Sequence, residues 1–162
     1  MIAFAEPYEV FSFDLPAGMW RYGGPAATEK LLSGHTVQGR VKFDDCRVGE
    51  VFGAGFRIKF ERIEKDAGLN FGFSCKPAQR QVLYSARSWG LWEGDVDSSE
   101  HPVGYPGEWI AFSMRIEDGV FLTRANGKVY RQTIPPGWDS AHFYAYCSNG
   151  RAEFYEPNEA SS

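Results

Sequence analysis

Residues 109–134 read WIAFSMRIEDGVFLTRANGKVYRQTI. Apolar and polar side chains alternate over positions 109–117, which is the period of a half-buried β-strand. Asp118-Gly119 ends this run, and Asn126-Gly127 supplies the two residues with positive φ that a type I′ turn needs. The stretch therefore predicts three consecutive antiparallel strands joined by two tight turns.

The same alternation occurs earlier in the chain. Apolar residues of the segment 56–61 alternate with charged ones, and residues 69–75 alternate again after the turn residues 65–68. A hairpin is the simplest interpretation of this pair. Gly72 offers no side chain to the second strand, which predicts a bulge or close packing by a neighbour.

The remaining segments are less regular. Strands are expected over 9–14, 36–43 and 82–92, and a last hairpin over 142–155 around Asn149-Gly150. Residues 19–27 and 93–107 are rich in glycine and proline and are expected to be loops, while 28–33 suits either a helical turn or a short strand.

These patterns predict an all-β domain of about nine to eleven strands, packed as a two-sheet antiparallel β-sandwich. The length of 162 residues suits one domain. We expect this domain to span residues 1–156, followed by a polar, disordered tail over 157–162.

Charge, hydropathy and cysteine content indicate which partners and which cellular compartment to expect. The formal net charge is −4, whereas a general nucleic-acid binder needs a basic face. No segment has the ~18 consecutive apolar residues of a membrane span, and none resembles a signal peptide. The three cysteines are odd in number and widely spaced, which favours reduced thiols and a cytoplasmic protein. No metal-ligand spacing or phosphate-binding loop is present, so no cofactor is expected.

Two segments, Gly39 to Ser74 and Ile116 to Tyr155, resemble the neuralized homology repeat. The resemblance rests on a strand, a Gly-Glu turn, two further strands, an Asn-Gly hairpin and a closing aromatic strand: Arg40, Phe43, Val48-Gly49-Glu50, Phe56-Arg57-Ile58, Gly68-Leu69-Asn70-Phe71-Gly72-Phe73, Asn126-Gly127 and Phe143-Tyr144-Ala145-Tyr146. It implies a concanavalin-like β-sandwich related to SPRY domains, and an adaptor module that recognises peptides or partner surfaces through loops at one end. No RING-type cysteine cluster follows, so ligase activity is not implied.

Large aromatic and arginine side chains in or beside the loops are the candidate binding residues. Such residues dominate binding hot spots because they bury much area and keep a polar group for hydrogen bonding. The leading hypothesis is thus a non-enzymatic domain that binds a protein or peptide ligand. Its predicted ligand-binding residues are Trp20, Arg21, Tyr22, Arg80, Arg87, Trp89, Trp92 and Trp138.

Two alternatives involve carbohydrate. In a lectin-like domain the same aromatics would stack on sugar rings, with hydroxyl hydrogen bonds to Asp95, Asp97 or Asn149. In a glycoside hydrolase, Glu93 and Asp97 would be the pair of carboxylates that such enzymes need. The acidic loop 93–108 also begins like a calcium loop, but it lacks the turn glycine and the closing glutamate.

Overall fold

The computed structural model describes residues 6–47, 54–75, 81–92, 94–96 and 100–157, with the side chains of Lys30 and of 81–88 outside that description. Within these residues the chain forms twelve strands, one short α-helix and one turn of 3₁₀-helix. The strands are β1 (Glu9–Asp14), β2 (Trp20–Tyr22), β3 (Val37–Cys46), β4 (Gly55–Arg62), β5 (Ala67–Ser74), β6 (Gln81–Trp89), β7 (Glu100–Gly104), β8 (Ile110–Glu117), β9 (Val120–Ala125), β10 (Lys128–Thr133), β11 (Ser140–Tyr146) and β12 (Ser148–Tyr155). The helix α1 is Glu29–Leu32 and the 3₁₀ turn is Ile63–Lys65.

The strands form two six-stranded antiparallel sheets. The first sheet has the order β1-β12-β3-β8-β9-β10, and the second sheet has the order β2-β11-β4-β5-β6-β7. This confirms the all-β, two-sheet antiparallel β-sandwich. The described strands outnumber the expected nine to eleven because two short edge strands lie in segments that were expected to be loops.

The meander predicted from residues 109–134 is confirmed. Strand β8 pairs with β9 and β9 pairs with β10, each antiparallel and in continuous register. Asn126 has φ 43° and Gly127 has φ 82°, as a type I′ turn requires. Asn126 also binds the neighbouring backbone, since its Oδ1 accepts a hydrogen bond from the N–H of Ala111 at 3.0 Å.

The predicted hairpin of β4 and β5 is also confirmed. Gly72 lies at an irregularity in the pairing of β5 with β6, between Asn70 and Gly72. A Cβ at this position would lie 2.4 Å from the backbone oxygen of Phe56. Both predicted reasons for a glycine, a bulge and close packing, therefore apply here.

The core between the sheets is largely aromatic. Phe71 of the second sheet and Phe121 of the first have ring centroids 4.4 Å apart, and both side chains are fully buried. Phe56 stacks on Phe143 within the second sheet and contacts Phe112 of the first.

The predicted last hairpin is wrong. Strand β11 pairs with β4 and β2 in the second sheet, whereas β12 pairs with β1 and β3 in the first. The chain changes sheets at Cys147, which has φ 49°. Asn149 and Gly150 lie inside β12, where the pairing with β3 shifts register. The local Asn-Gly signal thus marks a bulge instead of a turn.

Two expected loops contain edge strands. Trp20–Tyr22 pairs with β11, and Glu100–Gly104 pairs with β6, so each extends the second sheet by one strand. Both are short and flanked by glycine or proline, which hid them from a pattern that needs several alternations. Of the two structures open to residues 28–33, the helical turn forms, with Thr28 Oγ1 accepting a hydrogen bond from the N–H of Leu31.

The expectation that all cysteines are reduced is wrong. Cys46 at the end of β3 and Cys75 just after β5 form a disulfide, with their Cα atoms 5.5 Å apart. Cys147 is a free, buried thiol. The pairing links the first sheet to the second, so it depends on tertiary packing that spacing alone does not reveal.

No helix in the described part of the chain has the length and apolar character that crossing a bilayer demands. Residues 158–162 of the predicted tail lie outside the described residues. The same is true of Val48-Gly49-Glu50, which formed part of the family resemblance.

Candidate functional site: the outer face of the second sheet

Five adjacent strands of the second sheet, from β2 to the end of β6, present a continuous outward surface. Every second side chain of β11, β4 and β5 is buried in the core: Phe143 and Ala145 of β11, Phe56, Ile58 and Phe60 of β4, and Leu69, Phe71 and Phe73 of β5. The intervening positions therefore face away from the core, because side chains alternate along a strand. We call this surface the outer face; its described members are Trp20, Tyr22, Arg57, Lys59, Glu61, Gly68, Asn70, Gly72, Trp89, His142, Tyr144 and Tyr146.

Aromatic rings cover the edge of the outer face. Tyr22 is opposite Tyr144 in the strand register and Trp20 is opposite Tyr146. The Trp20 and Tyr22 rings make an edge-on contact with centroids 4.9 Å apart, and Tyr22 lies 5.2 Å from the imidazole of His142. Trp20 is 48% exposed and Tyr22 is 41% exposed. These large, exposed rings are available for contact with a ligand.

Lys59 lies among these rings. Its Nζ is 4.8 Å from the centroid of Tyr22 and 5.5 Å from that of Trp20. The ammonium also donates to the Tyr22 hydroxyl and pairs with Glu61. Burial alone would lower the pKa of Lys59, but the hydrogen bonds to Glu61 and Tyr22 outweigh it and raise the pKa. The side chain is therefore a fixed positive charge.

Arg57 and Tyr144 form the buried centre of the outer face. They are opposite each other in the register of β4 and β11, and Arg57 donates a hydrogen bond to the tyrosine oxygen. Both side chains are buried. Burial raises the pKa of Tyr144, and the opposing effect of Arg57 does not cancel it. The phenol stays protonated near neutral pH beside a guanidinium.

The charge of the outer face is opposite in sign to that of the chain. Arg57 and Lys59 are its cations, and on β2, β11, β4 and β5 Glu61 is the one described acidic residue facing outward. The side-chain oxygen Oδ1 of Asn70 is buried without a donor among the described residues. Cations, aromatic rings and an amide group thus converge on one surface of a protein whose formal net charge is −4.

Three of the predicted binding residues lie on the outer face. Trp20 and Tyr22 are on the edge strand β2, and Trp89 ends β6 on the other side of β5. The Trp89 ring covers Gly68, since a Cβ on that glycine would lie 1.8 Å from it. The structure places these residues on a sheet face, whereas the sequence suggested loops at one end of the sandwich.

The other described candidates lie elsewhere. Arg21 points to the opposite side of β2, where it contacts the Phe11 ring and the backbone oxygen of Ser12. Trp92 packs beneath the guanidinium of Arg62, with its ring centroid 5.5 Å away. Trp138 is buried in the core against Phe60.

Two predicted arginines are less defined. Arg80 lies outside the described residues, and for Arg87 the structure describes the backbone alone, which is opposite Asn70 in the register of β5 and β6. Glu93 and Asp97, the glycoside hydrolase pair, also lie outside the described residues.

The described residues of the acidic loop show no ion site. Asp95 is exposed and its backbone oxygen accepts a hydrogen bond from Gln132 at 2.6 Å. No cluster of three metal-ligating side chains occurs among the described residues. Asn149 lies in β12, which belongs to the first sheet and not to the sheet that carries the outer face.

Sequence reasoning missed the buried centre of the outer face. The alternation over residues 56–61 correctly placed Arg57 and Lys59 outward, and the strand 143–146 was recognised. Which outward residues meet depends on β11 pairing with β4, and the expected hairpin placed β11 beside β12 instead. A correct register would have brought Tyr144 to Arg57.

No protein-family model and no curated protein sequence matches the chain. Among solved structures, it is similar in fold to two forms of the family 7 alginate lyase A1-II′, one of them in complex with substrate. Sequence identity is 13% in both, with TM-scores of 0.47 and 0.46. The match covers 75% of this chain in both cases, and 57% and 59% of the lyase chains, so the chain spans less than two thirds of their length.

The functional expectation differs from what these two neighbours are. Both are lyases, and neither is a protein-interaction adaptor. The prediction of a non-enzymatic module for protein or peptide ligands is therefore wrong.

Proposed function

We propose that this is a carbohydrate-active domain that binds an anionic polysaccharide on the outer face of the second sheet. The observation that carries the proposal is the placement of Arg57 and Lys59 among the rings of Trp20, Tyr22 and Tyr144. Aromatic rings with polar groups suit the apolar faces and hydroxyls of sugars. Fixed cations supply charge-assisted hydrogen bonds to carboxylate or sulfate groups.

The shape and charge of the outer face support a polymer better than a small anion. The surface extends over adjacent strands from the exposed rings of β2 to Trp89 at the end of β6, and neighbouring strands are about 4.8 Å apart. Its cations stand out against the negative charge of the whole chain. A repeating anionic chain laid across the strands would place several units on these rings and cations.

Affinity electrophoresis in gels containing alginate, polygalacturonate or neutral dextran tests the proposal. The protein is expected to be retarded by at least one anionic polymer and not by dextran. Trp20→Ala and Lys59→Gln should each weaken that retardation about 5- to 10-fold, which corresponds to about 1 kcal/mol per contact. Higher salt should weaken it further.

Matched controls are available on other surfaces. Tyr105 is 52% exposed and lies beyond β7, so Tyr105→Ala controls for the loss of an exposed ring. Lys128→Gln, at the first residue of β10, controls for the loss of one positive charge. Equal retardation of Trp20→Ala, Lys59→Gln and the controls would remove the outer face from binding.

Cleavage of the bound polymer is the second candidate function. It is favoured by the buried, protonated phenol of Tyr144 beside Arg57, with the imidazole of His142 at the adjacent outward position of β11. Tyrosine and histidine are residue types that transfer protons in catalysis. Tyr144→Phe and His142→Ala should then each abolish the release of new chain ends from the polymer while polymer retardation persists.

The glycoside hydrolase alternative stays a prediction. It expects Glu93→Gln to abolish hydrolysis of a glycan without changing the melting temperature, since a catalytic carboxylate can be replaced by its amide isostere. Loss of activity in Tyr144→Phe but not in Glu93→Gln would favour the outer face.

We further propose that the protein works in an oxidising compartment. The expected cytoplasmic location rested on reduced thiols, and the disulfide between Cys46 and Cys75 removes that reason. Disulfides persist mainly in secreted, periplasmic and other oxidising settings.

The domain limits and the finer family resemblance also remain proposals. Strand β1 pairs with β12, which brings the two ends of the predicted domain 1–156 together. Limited proteolysis should leave this unit intact. The segments Gly39 to Ser74 and Ile116 to Tyr155 each supply strands to both sheets, as a relationship to the neuralized homology repeat would require.

A further inference from the structure

A cavity lies where the chain enters β11. It has a volume of about 690 Å³. Segment 28–33, which includes α1, forms one wall, and the residues leading into β11 form the other. Single bridges from Ala27 to Ala141 and from Ser33 to Ile116 hold this segment against both sheets. The cavity is therefore anchored to the sandwich on both sides.

One lining residue of the cavity, Trp138, has an indole N–H without an acceptor in the described part of the chain. Trp138 lines it and is 8% exposed, and its Nε1 is buried with no acceptor among the described residues. Buried donors in proteins are almost always paired, because an unpaired one has lost its hydrogen bond to water. Trp138 is thus a donor for which the fold itself supplies no partner.

The other walls carry further unused hydrogen-bonding groups. The side chains of Glu29, Ser33, His35 and Ser140 line the cavity, and none has a hydrogen bond or ion pair to the described residues. Asp139 is partly engaged, since its Oδ2 accepts a hydrogen bond from the N–H of Ile63 at 2.6 Å. The cavity therefore offers both donors and acceptors around one aromatic side chain.

We propose that this cavity binds a neutral sugar unit. Each sugar hydroxyl both donates and accepts, which matches carboxylates beside hydroxyl, imidazole and indole groups. Two carboxylates, Glu29 and Asp139, disfavour an anionic group here, in contrast to the cationic outer face. They do not form a metal cluster with other ligating side chains among the described residues.

Nuclear magnetic resonance of the indole groups tests this directly. The chain has five tryptophans, so the ¹⁵N-labelled protein shows five indole N–H signals, and Trp138→Phe identifies the one from Trp138. We titrate with cellobiose, maltose, lactose and mannobiose, and with an alginate oligomer as the anionic probe. At least one neutral disaccharide should shift the Trp138 signal to saturation.

Variants of the wall then locate the site. Glu29→Ala and Ser140→Ala should each raise the dissociation constant for that disaccharide about 5-fold or more, while Glu64→Ala, an exposed carboxylate on the 3₁₀ turn that does not line the cavity, should leave it unchanged. A Trp138 signal that no neutral disaccharide moves would overturn the proposal. A shift caused by the alginate oligomer alone, or one undiminished in both wall variants, would overturn it as well.

The outcome is independent of the outer face. The Trp20 indole signal reports on that face, because Trp20 lies on β2 beside Tyr22. A shift of Trp138 without Trp20 supports the cavity even if the outer face binds nothing. A shift of the Trp20 signal without a shift of the Trp138 signal would support binding at the outer face and overturn the cavity proposal.

Discussion

Glu153 is a buried carboxylate on the outward side of the first sheet. It accepts hydrogen bonds from the Tyr155 hydroxyl at 2.6 Å and from Arg40 Nε at 2.8 Å on one oxygen, and from Arg151 Nε at 2.7 Å on the other. The Arg40 guanidinium in turn lies 4.0 Å from the centroid of the Trp109 ring. The Glu153 carboxylate thus links side chains of β3 and β12, and through Arg40 it is connected to Trp109, which directly precedes β8.

Protonation of Glu153 should cost stability. Burial alone would raise its pKa, but the hydrogen bonds from Tyr155, Arg40 and Arg151 prevail and lower the pKa to about 2. A carboxyl in the unfolded chain has a pKa near ~4.3. Because the folded pKa is the lower one, the ionised group stabilises the fold above about pH 4.3, and this contribution is lost as the pH falls towards 2.

The variant Glu153→Gln tests the stabilising role of the ionised carboxylate. At pH 7 the free energy of unfolding of this variant should be about 2 kcal/mol lower than that of the wild type, because hydrogen bonds to a charged group are lost. In urea titrations from pH 7 to pH 2.5 the difference should shrink, since the wild type loses its charge as well. Glu64→Gln, an exposed control, should change little at any pH. A constant difference across this pH range would contradict the assignment.

Residue types were easier to predict than residue partnerships. Trp20 and Tyr22 could be selected from the sequence because exposed aromatics beside turns are common in binding sites. The partnership of Arg57 with Tyr144 could not, since it joins two strands that are distant in the chain. Trp138 shows the converse: its neighbours Pro136 and Gly137 suggested display, while packing on Phe60 buries it.

At the scale of elements, the bulge at Gly72 separates two regular stretches of pairing between β5 and β6. Gly72 has φ 149° and its missing Cβ leaves room for the Phe56 backbone oxygen. An alanine there would be strained in conformation and would collide with backbone that cannot move independently of β4.

Gly72→Ala should therefore destabilise the protein by about 3 kcal/mol or more. Gly119→Ala is a matched control, because Gly119 also has a positive φ of 75° but nothing lies within 4 Å of a Cβ added there. Its cost should be about 1 kcal/mol. Thermal and urea unfolding measure both. Equal losses in the two variants would mean that the close approach of β4 has no energetic effect.

Elements with repeated alternation were predictable, and short ones were not. The meander β8 to β10 follows from period-two patterning and from turn residues that require positive φ. The same Asn-Gly rule failed at Asn149-Gly150, because a local turn preference cannot distinguish a hairpin from a bulge when the strands belong to different sheets. The three residues of β2 are too few for any periodicity, and their pairing with β11 makes them a strand.

At the scale of the whole molecule, the aromatic core joins the two sheets. Phe71→Ala should lower the unfolding free energy by about 3 to 5 kcal/mol, since the side chain is fully buried and contacts Phe121 of the other sheet. Tyr105→Ala removes a ring that is 52% exposed and should cost no more than about 0.5 kcal/mol. A melt that shows no loss for Phe71→Ala would exclude this position from the core.

The disulfide is a second link between the sheets. Its cysteines are 29 residues apart in sequence, and a cross-link of this span stabilises by about 3.5 kcal/mol, mainly by restricting the unfolded chain. Reductant should therefore lower the melting temperature of the wild type. It should have no effect on the variant with Cys46→Ala and Cys75→Ala together.

Thiol titration provides the matching chemical readout. Without reductant the unfolded wild type should show one reactive thiol, that of Cys147. Three reactive thiols in protein that was never exposed to reductant would contradict the disulfide.

The change of sheets at Cys147 also determines how the outer face responds to load. Strand β11, which carries His142, Tyr144 and Tyr146, continues through one residue into β12, and β12 is hydrogen-bonded on both sides, to β1 and to β3. A ligand that pulled β11 along its own axis would have to shear both of these ladders at once. The binding strand is thus mechanically anchored in the opposite sheet, so the face is stiff before any ligand arrives and little affinity is lost to its reorganisation.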